Sequence, residues 1–242
     1  MNATVAQLTA RSLLGGRRVI LLIALPGILL LLAAVARGLA GQDNDVAVGV
    51  LNGFALATLV PLLGLIAGTG SIGPEIDDGS IVYMLAKPLS RFSIATTKVV
   101  VAVAVISVFA AAPTLIAGLI LAGPSSLAVA FAVGALVAGA GYGALFVLLA
   151  VITRHAVIIG LLYALIWETL VGSYVPGAKT LSIRQWSLAI VERVLGSDRA
   201  KQLNVESAVS LGVGVVFLLI VVVGATWYAG SRLRSLRLTS DE

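Results

Sequence analysis

Apolar residues run through this chain in six long blocks, and the polar residues between them set the architecture. The blocks are Val19 to Ala36, Val46 to Gly68, Val99 to Ala122, Leu127 to Ile152, Ala156 to Val171 and Ala208 to Ala229. A helix needs about 20 largely apolar residues to cross hydrocarbon, so the pattern predicts six transmembrane helices, the fifth being the shortest. Pro26, Pro61 and Pro113 fall inside blocks, where neighbouring helices can satisfy the freed backbone groups, and they predict kinks. Glycines recur four apart at Gly49 and Gly53, Gly64 and Gly68, and Gly139 and Gly143, a spacing that permits close helix packing within the chain or across a dimer.

The polar stretches have patterns of their own. Thr4 to Gln7 fits a capping box, and residues 5 to 14 then read as a short helix stopped by Gly15-Gly16. Its Val5, Leu8, Leu13 and Leu14, with Gln7 and Arg11 between them, predict a helix lying in the interface. No clear small-residue cleavage site follows the first apolar block near Ala33 to Ala40, so that block reads as a retained span and not a signal peptide. In the loop from Gly172 to Ser207, Ser182 to Gln185 is a second capping box, Leu181 and Trp186 are spaced for a hydrophobic staple, and Gly196 is a stop. Ile183, Trp186, Ile190 and Val194 share a face, which predicts an amphipathic helix at the outer surface with Trp186 at headgroup depth.

The longest polar interruption in the first half runs from Ser71 to Lys98. Pro74 suits the first turn of a helix, Glu75, Asp77 and Asp78 suit its positive end, and Gly79 suits its stop. Ser80 to Ala86 could form a second short piece with Ile81, Met84 and Leu85 facing the bilayer, ended by Lys87-Pro88, and Ser90 is placed to cap the next span. Lys87, Arg91 and Lys98 then read as a basic anchor at the headgroups.

Composition agrees with the pattern. With 60% hydrophobic and 11% charged residues and a mean hydropathy of +1.10, the chain is a membrane protein. It has no Cys, one His and two Met, too few soft ligands for a cysteine- or histidine-based metal site or a disulfide framework. The net charge of +5 comes from residues flanking apolar blocks, so membrane lipids, not nucleic acid, are the simpler partner. Gly172 to Thr180 imitates a phosphate-binding loop, but Ala178 separates Gly177 from Lys179 and no strand precedes it. No second acidic cluster joins Asp77 and Asp78 for metal-dependent chemistry, and His155 stands alone beside Arg154. Glu168 is the one carboxylate inside a block, costly at a bilayer centre and cheaper near the outer end, where it reads as a gate or substrate contact or as an interfacial residue beside Trp167.

The order Glu75, Gly79-Ser80, Met84-Leu85, Pro88, Ser90-Arg91 and Lys98 resembles the first cytoplasmic loop of the permease subunits of type-two ABC (ATP-binding cassette) exporters, with Met84 for the more usual Leu and Ser80 for Thr. The resemblance implies a single permease domain over residues 1–242, with Glu75, Ile76, Asp77, Asp78, Gly79 and Ser80 as the coupling helix against an ATPase, between spans 2 and 3. Pro88, Ser90, Arg91 and Lys98 anchor that loop, and the region carrying Glu168 and Trp186 folds back as an outer gate. It also implies no cofactor in this chain, ATP and Mg being bound by a separate ATPase subunit; a second permease chain as partner; and a bacterial plasma membrane with both termini cytoplasmic. The expected activity is export of a drug-, antibiotic- or lipid-like substrate, the chain itself being no enzyme. An ATP-independent six-span secondary transporter or membrane-embedded enzyme is the alternative, although midplane carboxylates and an inverted repeat are not evident in the sequence.

Overall fold

The computed structural model describes residues 3–16, 18–81, 90–171 and 177–235. Among them every regular element is helical. Five helices are long and apolar enough to cross a membrane, the pattern of a multi-pass membrane protein. We number the elements α1 (Ala3–Leu14), α2 (Arg18–Ala40), α3 (Asn44–Asp77), α4 (Arg91–Ala122), α5 (Ser126–Ile152), α6 (Ala156–Leu162, continued by Tyr163–Val171), α7 (Ile183–Leu195), α8 (Ser197–Gln202) and α9 (Leu211–Ser235). The fifth apolar block is therefore a shorter helix than its four predecessors and α9.

Helix α5 is the hub, packed on α3, α4, α6, α7 and α9. Its small residues explain why. A Cβ added at Gly139 would lie 2.7 Å from Ile106 of α4, one at Gly134 would run into Val191 of α7, and one at Gly141 would lie 2.9 Å from Ile183. Gly64 and Gly68 of α3 press in the same way on Tyr142 and Phe146, each with a 2.7 Å approach. Two of the three predicted glycine pairs thus pack within the chain, while among the described residues nothing would meet a Cβ at Gly49 or Gly53 within 4 Å. At the other end of the hub, Gly118 of α4 would place a Cβ 2.7 Å from the Cα of Ala128. Backbone cannot give way like a side-chain tip, so Gly118→Ala is expected to lower stability by about 1–3 kcal/mol, read as a lower melting temperature in mild detergent.

Of the three prolines expected to mark kinks, Pro26 lies inside the uninterrupted α2, whereas the other two follow wider turns. Gly49–Leu59 and Ser107–Ala111 are π-helical, and each lies just upstream of a proline, Pro61 and Pro113. Proline lacks the donor that an α-turn requires and its ring crowds the preceding carbonyl. The wider turn, with Val60 N–H donating to the Ala55 carbonyl and Ala112 N–H to the Ser107 carbonyl, absorbs both problems without breaking the helix. The end of α4 is closed from α2 and the link that follows it: Arg37 Nη1 donates to the Leu121 carbonyl (3.2 Å) and Gln42 Nε2 to the Ala122 carbonyl (2.8 Å). Cationic and amide donors at a helix C-terminus satisfy the last carbonyls.

Helix α1 begins at Ala3, so Thr4 sits in its first turn and not at an N-cap, and Gly16 at φ +76° follows its end. Val5, Thr9 and Leu13 are buried while Leu8 and Leu14 are exposed, so the apolar residues divide between the bundle and its surroundings.

Candidate functional site

At the loop end of the bundle, Pro74 does not start a helix. It lies inside the last turns of α3, which continues to Asp77 with Asp78 as its cap, and Gly79 at φ +70° turns the chain away. The acidic residues therefore close a helix C-terminus, where the macrodipole opposes them. Three observations explain how this end is tolerated. Pro74 cannot donate to the Gly70 carbonyl, and Arg18 Nη1 of α2 donates there instead at 3.3 Å. Lys98 Nζ of α4 donates to the Ser71 carbonyl at 2.6 Å and to Glu75 Oε1 at 2.5 Å. The two cations supply the positive charge that a helix C-terminus favours, and one of them neutralises the nearest carboxylate.

Lys98 is consequently not a headgroup anchor: its side chain is 0% exposed and ion-paired with Glu75, which is 26% exposed. Burial selects this arrangement, because an ammonium inside an apolar bundle needs both a counter-charge and hydrogen-bond acceptors. Ser90 caps α4 as expected, its Oγ accepting from Ser93 N–H at 3.1 Å, and Arg91 is the first helical residue. Beside it, Phe92 carries Arg234 of α9 over its ring at 4.4 Å, tying the last helix to this end. Ile76 is half-buried, whereas Asp77, Asp78, Gly79 and Ser80 are exposed. Lys87, Pro88, Met84 and Leu85 lie outside the described residues, as do Gly172 to Pro176 of the phosphate-loop imitation.

A second polar centre sits deep in the bundle. Glu168 is 1% exposed, enclosed by protein. Its Oε2 accepts from Ser182 Oγ at 2.5 Å, and its Oε1 accepts from Ile183 N–H at 3.0 Å and Tyr163 OH at 3.3 Å. Ser182 in turn accepts from Gln185 N–H at 3.3 Å, so serine and glutamate together cap the N-terminus of α7. That N-terminus lies against Gly141 through Ile183, near the middle of the 27-residue α5, while Val191 lies against Gly134 towards one end. Helix α7 is therefore sunk along the hub.

The predicted outer-surface helix exists in its bounds but not in its setting. Trp186 is 3% exposed and stacks on Phe217 of α9 with ring centroids 5.6 Å apart, its Nε1 donating to the Thr180 carbonyl at 2.7 Å. Leu181, expected to staple it, is 47% exposed, and so are Val194 to 40% and, in part, Ile190. The capping box is half formed, because Gln185 Oε1 accepts from Ala208 N–H at 3.1 Å instead of returning to Ser182. Gly196, at φ +84°, does end the helix.

Sequence reasoning missed the partners. Arg184 donates twice to Asn52 Oδ1 of α3, from Nη2 at 2.8 Å and from Nε at 3.3 Å. Tyr142 of α5 is fully buried with its OH unpaired in the same region, beside Phe146 and close to the Glu168 carboxylate. The only available signal was one polar residue, Asn52, amid an apolar block. The arrangement can hold α6, α7 and α3 together through hydrogen bonds that are strong where water is excluded. No protein-family model matches the chain, and no curated protein matches it.

Proposed function

We propose that this chain is the membrane-spanning permease subunit of an ATP-driven exporter of the type-two ABC class, working with a separate ATPase subunit that binds ATP and Mg and with a second permease chain. The observation that carries the reading is the Glu75–Lys98 ion pair. The first and last residues of the family-like motif, 23 apart in sequence, meet at 2.5 Å and brace the helices on either side of the loop. Such a brace passes force at the loop into two spans. Asp77, Asp78, Gly79 and Ser80 stand exposed beyond it and form the docking tip for the ATPase. In this reading α6 and α7 are the two pieces of the fifth crossing, joined at Glu168, α9 is the sixth, and the Glu168–Ser182 contact closes the outer gate. The termini lie in the cytoplasm of a bacterium, and the cargo is an apolar or amphipathic drug, antibiotic or lipid.

The test is to solubilise the tagged chain gently from its native membrane, identify what remains bound in stoichiometric amount, and assay it for ATP hydrolysis. A bound soluble ATPase with turnover is the expected result. A clean preparation without one, across several mild detergents, turns the reading towards the ion-coupled alternative. Asp78→Arg is the informative variant, because Asp78 is exposed and outside the ion pair. It is expected to leave the melting temperature within about 1 °C, as surface substitutions usually do, while weakening co-purification of the ATPase about tenfold.

A further inference from the structure

A small pocket of about 50 Å³ opens beside the loop end, between the start of α2, the last turns of α3 and the short link from α5 to α6. Arg18 enters it from α2 and Arg154 from the link, and both are exposed. Asp77 lines the same pocket. Of its two hydroxyls, Thr69 Oγ1 donates to the Leu65 carbonyl, while Thr153 Oγ1 accepts from His155 N–H and keeps its own proton to donate. The charge that the pocket offers is therefore that of its arginines and its carboxylate. A guanidinium has five donors, so Arg18 retains most of them after its bond to the Gly70 carbonyl, and Arg154 makes no ion pair among the described residues.

We infer that this pocket seats the phosphodiester of an anionic membrane phospholipid, with phosphatidylglycerol as the matching headgroup. Two guanidiniums less one carboxylate leave about one positive charge, which a phosphodiester with an uncharged glycerol balances. Phosphatidylethanolamine brings its own ammonium towards the arginines and has no net charge to offer. The source is a lipid and not free phosphate because apolar surface leads away from the pocket on both sides. Val157, which lines it, is 57% exposed and Ile158 beside it 60%. Leu21, one turn along α2 from Arg18 and on the same face, is 51% exposed. Acyl chains fit along those two helices while the phosphate stays at the arginines. The bound lipid then touches Pro74 and also Asp77, the first residue of the exposed acidic tip, and holds α2 and α6 against the end of α3.

The experiment uses the full chain reconstituted in nanodiscs of equimolar phosphatidylglycerol and phosphatidylethanolamine, transferred to mild detergent, with the retained lipid quantified by mass spectrometry. The chain is expected to keep phosphatidylglycerol in excess, and Arg154→Gln to reduce that excess about fivefold, the effect of one basic residue at an anionic surface. Arg193→Gln, remote from the pocket, serves as the control and retains the excess. Arg18→Gln also removes the bond to the Gly70 carbonyl, so Arg154→Gln, which touches no such bond, is the deciding variant. Equal retention of the two lipids by the unaltered chain, or an undiminished excess in Arg154→Gln, overturns the inference.

Discussion

Glu168→Ala is expected to release α7 from the bundle. The substitution strands the Ser182 hydroxyl, the Ile183 N–H and the Tyr163 hydroxyl, all of which donate to the carboxylate. Buried donors left without acceptors cost about 1–3 kcal/mol each, so the loss reaches about 3 kcal/mol even after relaxation. Glu168→Gln keeps one oxygen acceptor and replaces the other by a donor that faces donors, which predicts a smaller loss of about 1–2 kcal/mol. Limited trypsinolysis in mild detergent reads the outcome directly, because Arg184 and Arg193 lie on α7. Cleavage there should rise most in the alanine variant and less in the glutamine variant. Protection equal to that of the unaltered chain in both would mean that packing alone holds the helix.

The Glu75–Lys98 pair should respond asymmetrically. Glu75→Leu leaves an ammonium at 0% exposure with only the Ser71 carbonyl for company, and removing one partner of a buried pair costs about 3–5 kcal/mol. Lys98→Met leaves a carboxylate that is 26% exposed and can turn to water, so its cost should be nearer about 1–3 kcal/mol. The double variant should then be more stable than Glu75→Leu alone, with a coupling of at least about 1 kcal/mol in a double-mutant cycle. Melting temperatures of the four proteins in one detergent supply the measurement. Additive losses would show that the two side chains act independently. Glu75→Arg, which places a second cation beside Lys98, is a poor probe of partner docking for the same reason, and the exposed Asp78 is the better one.

Local features of this fold were legible in the sequence because they depend on a few adjacent residues. Ser90 and Ser182 cap helices and Gly79 and Gly196 end them, each through its own side chain or its own positive φ. Apolar block length likewise located the long helices, and it marked the fifth block as the short one. Partners could not be read in this way. Glu75 and Lys98 lie 23 residues apart and Arg184 and Asn52 lie 132 apart, and nothing in either neighbourhood encodes the other. Helix α7 shows the limit most clearly. Its polar face suggested water, yet Arg184 is spent on Asn52, Gln185 on Ala208 and Glu192 on Ser207. A polar face marks a solvated face only when no other segment offers matching groups. Lys98 failed for the same reason: a basic residue at a block edge reads as a headgroup contact until an acid on the preceding helix is seen to face it.

The Glu168 cap also orders events during synthesis. Emerging alone, the α6 segment would carry into hydrocarbon a carboxylate with Tyr163 as its one donor, where insertion scales charge about 2.5–3.5 kcal/mol for an acid at mid-helix. The hydroxyl that relieves it is made 14 residues later, at Ser182. Commitment of α6 to the bilayer is therefore expected to wait for the start of α7 to leave the ribosome, so that the two helices would enter the membrane as one unit of biogenesis.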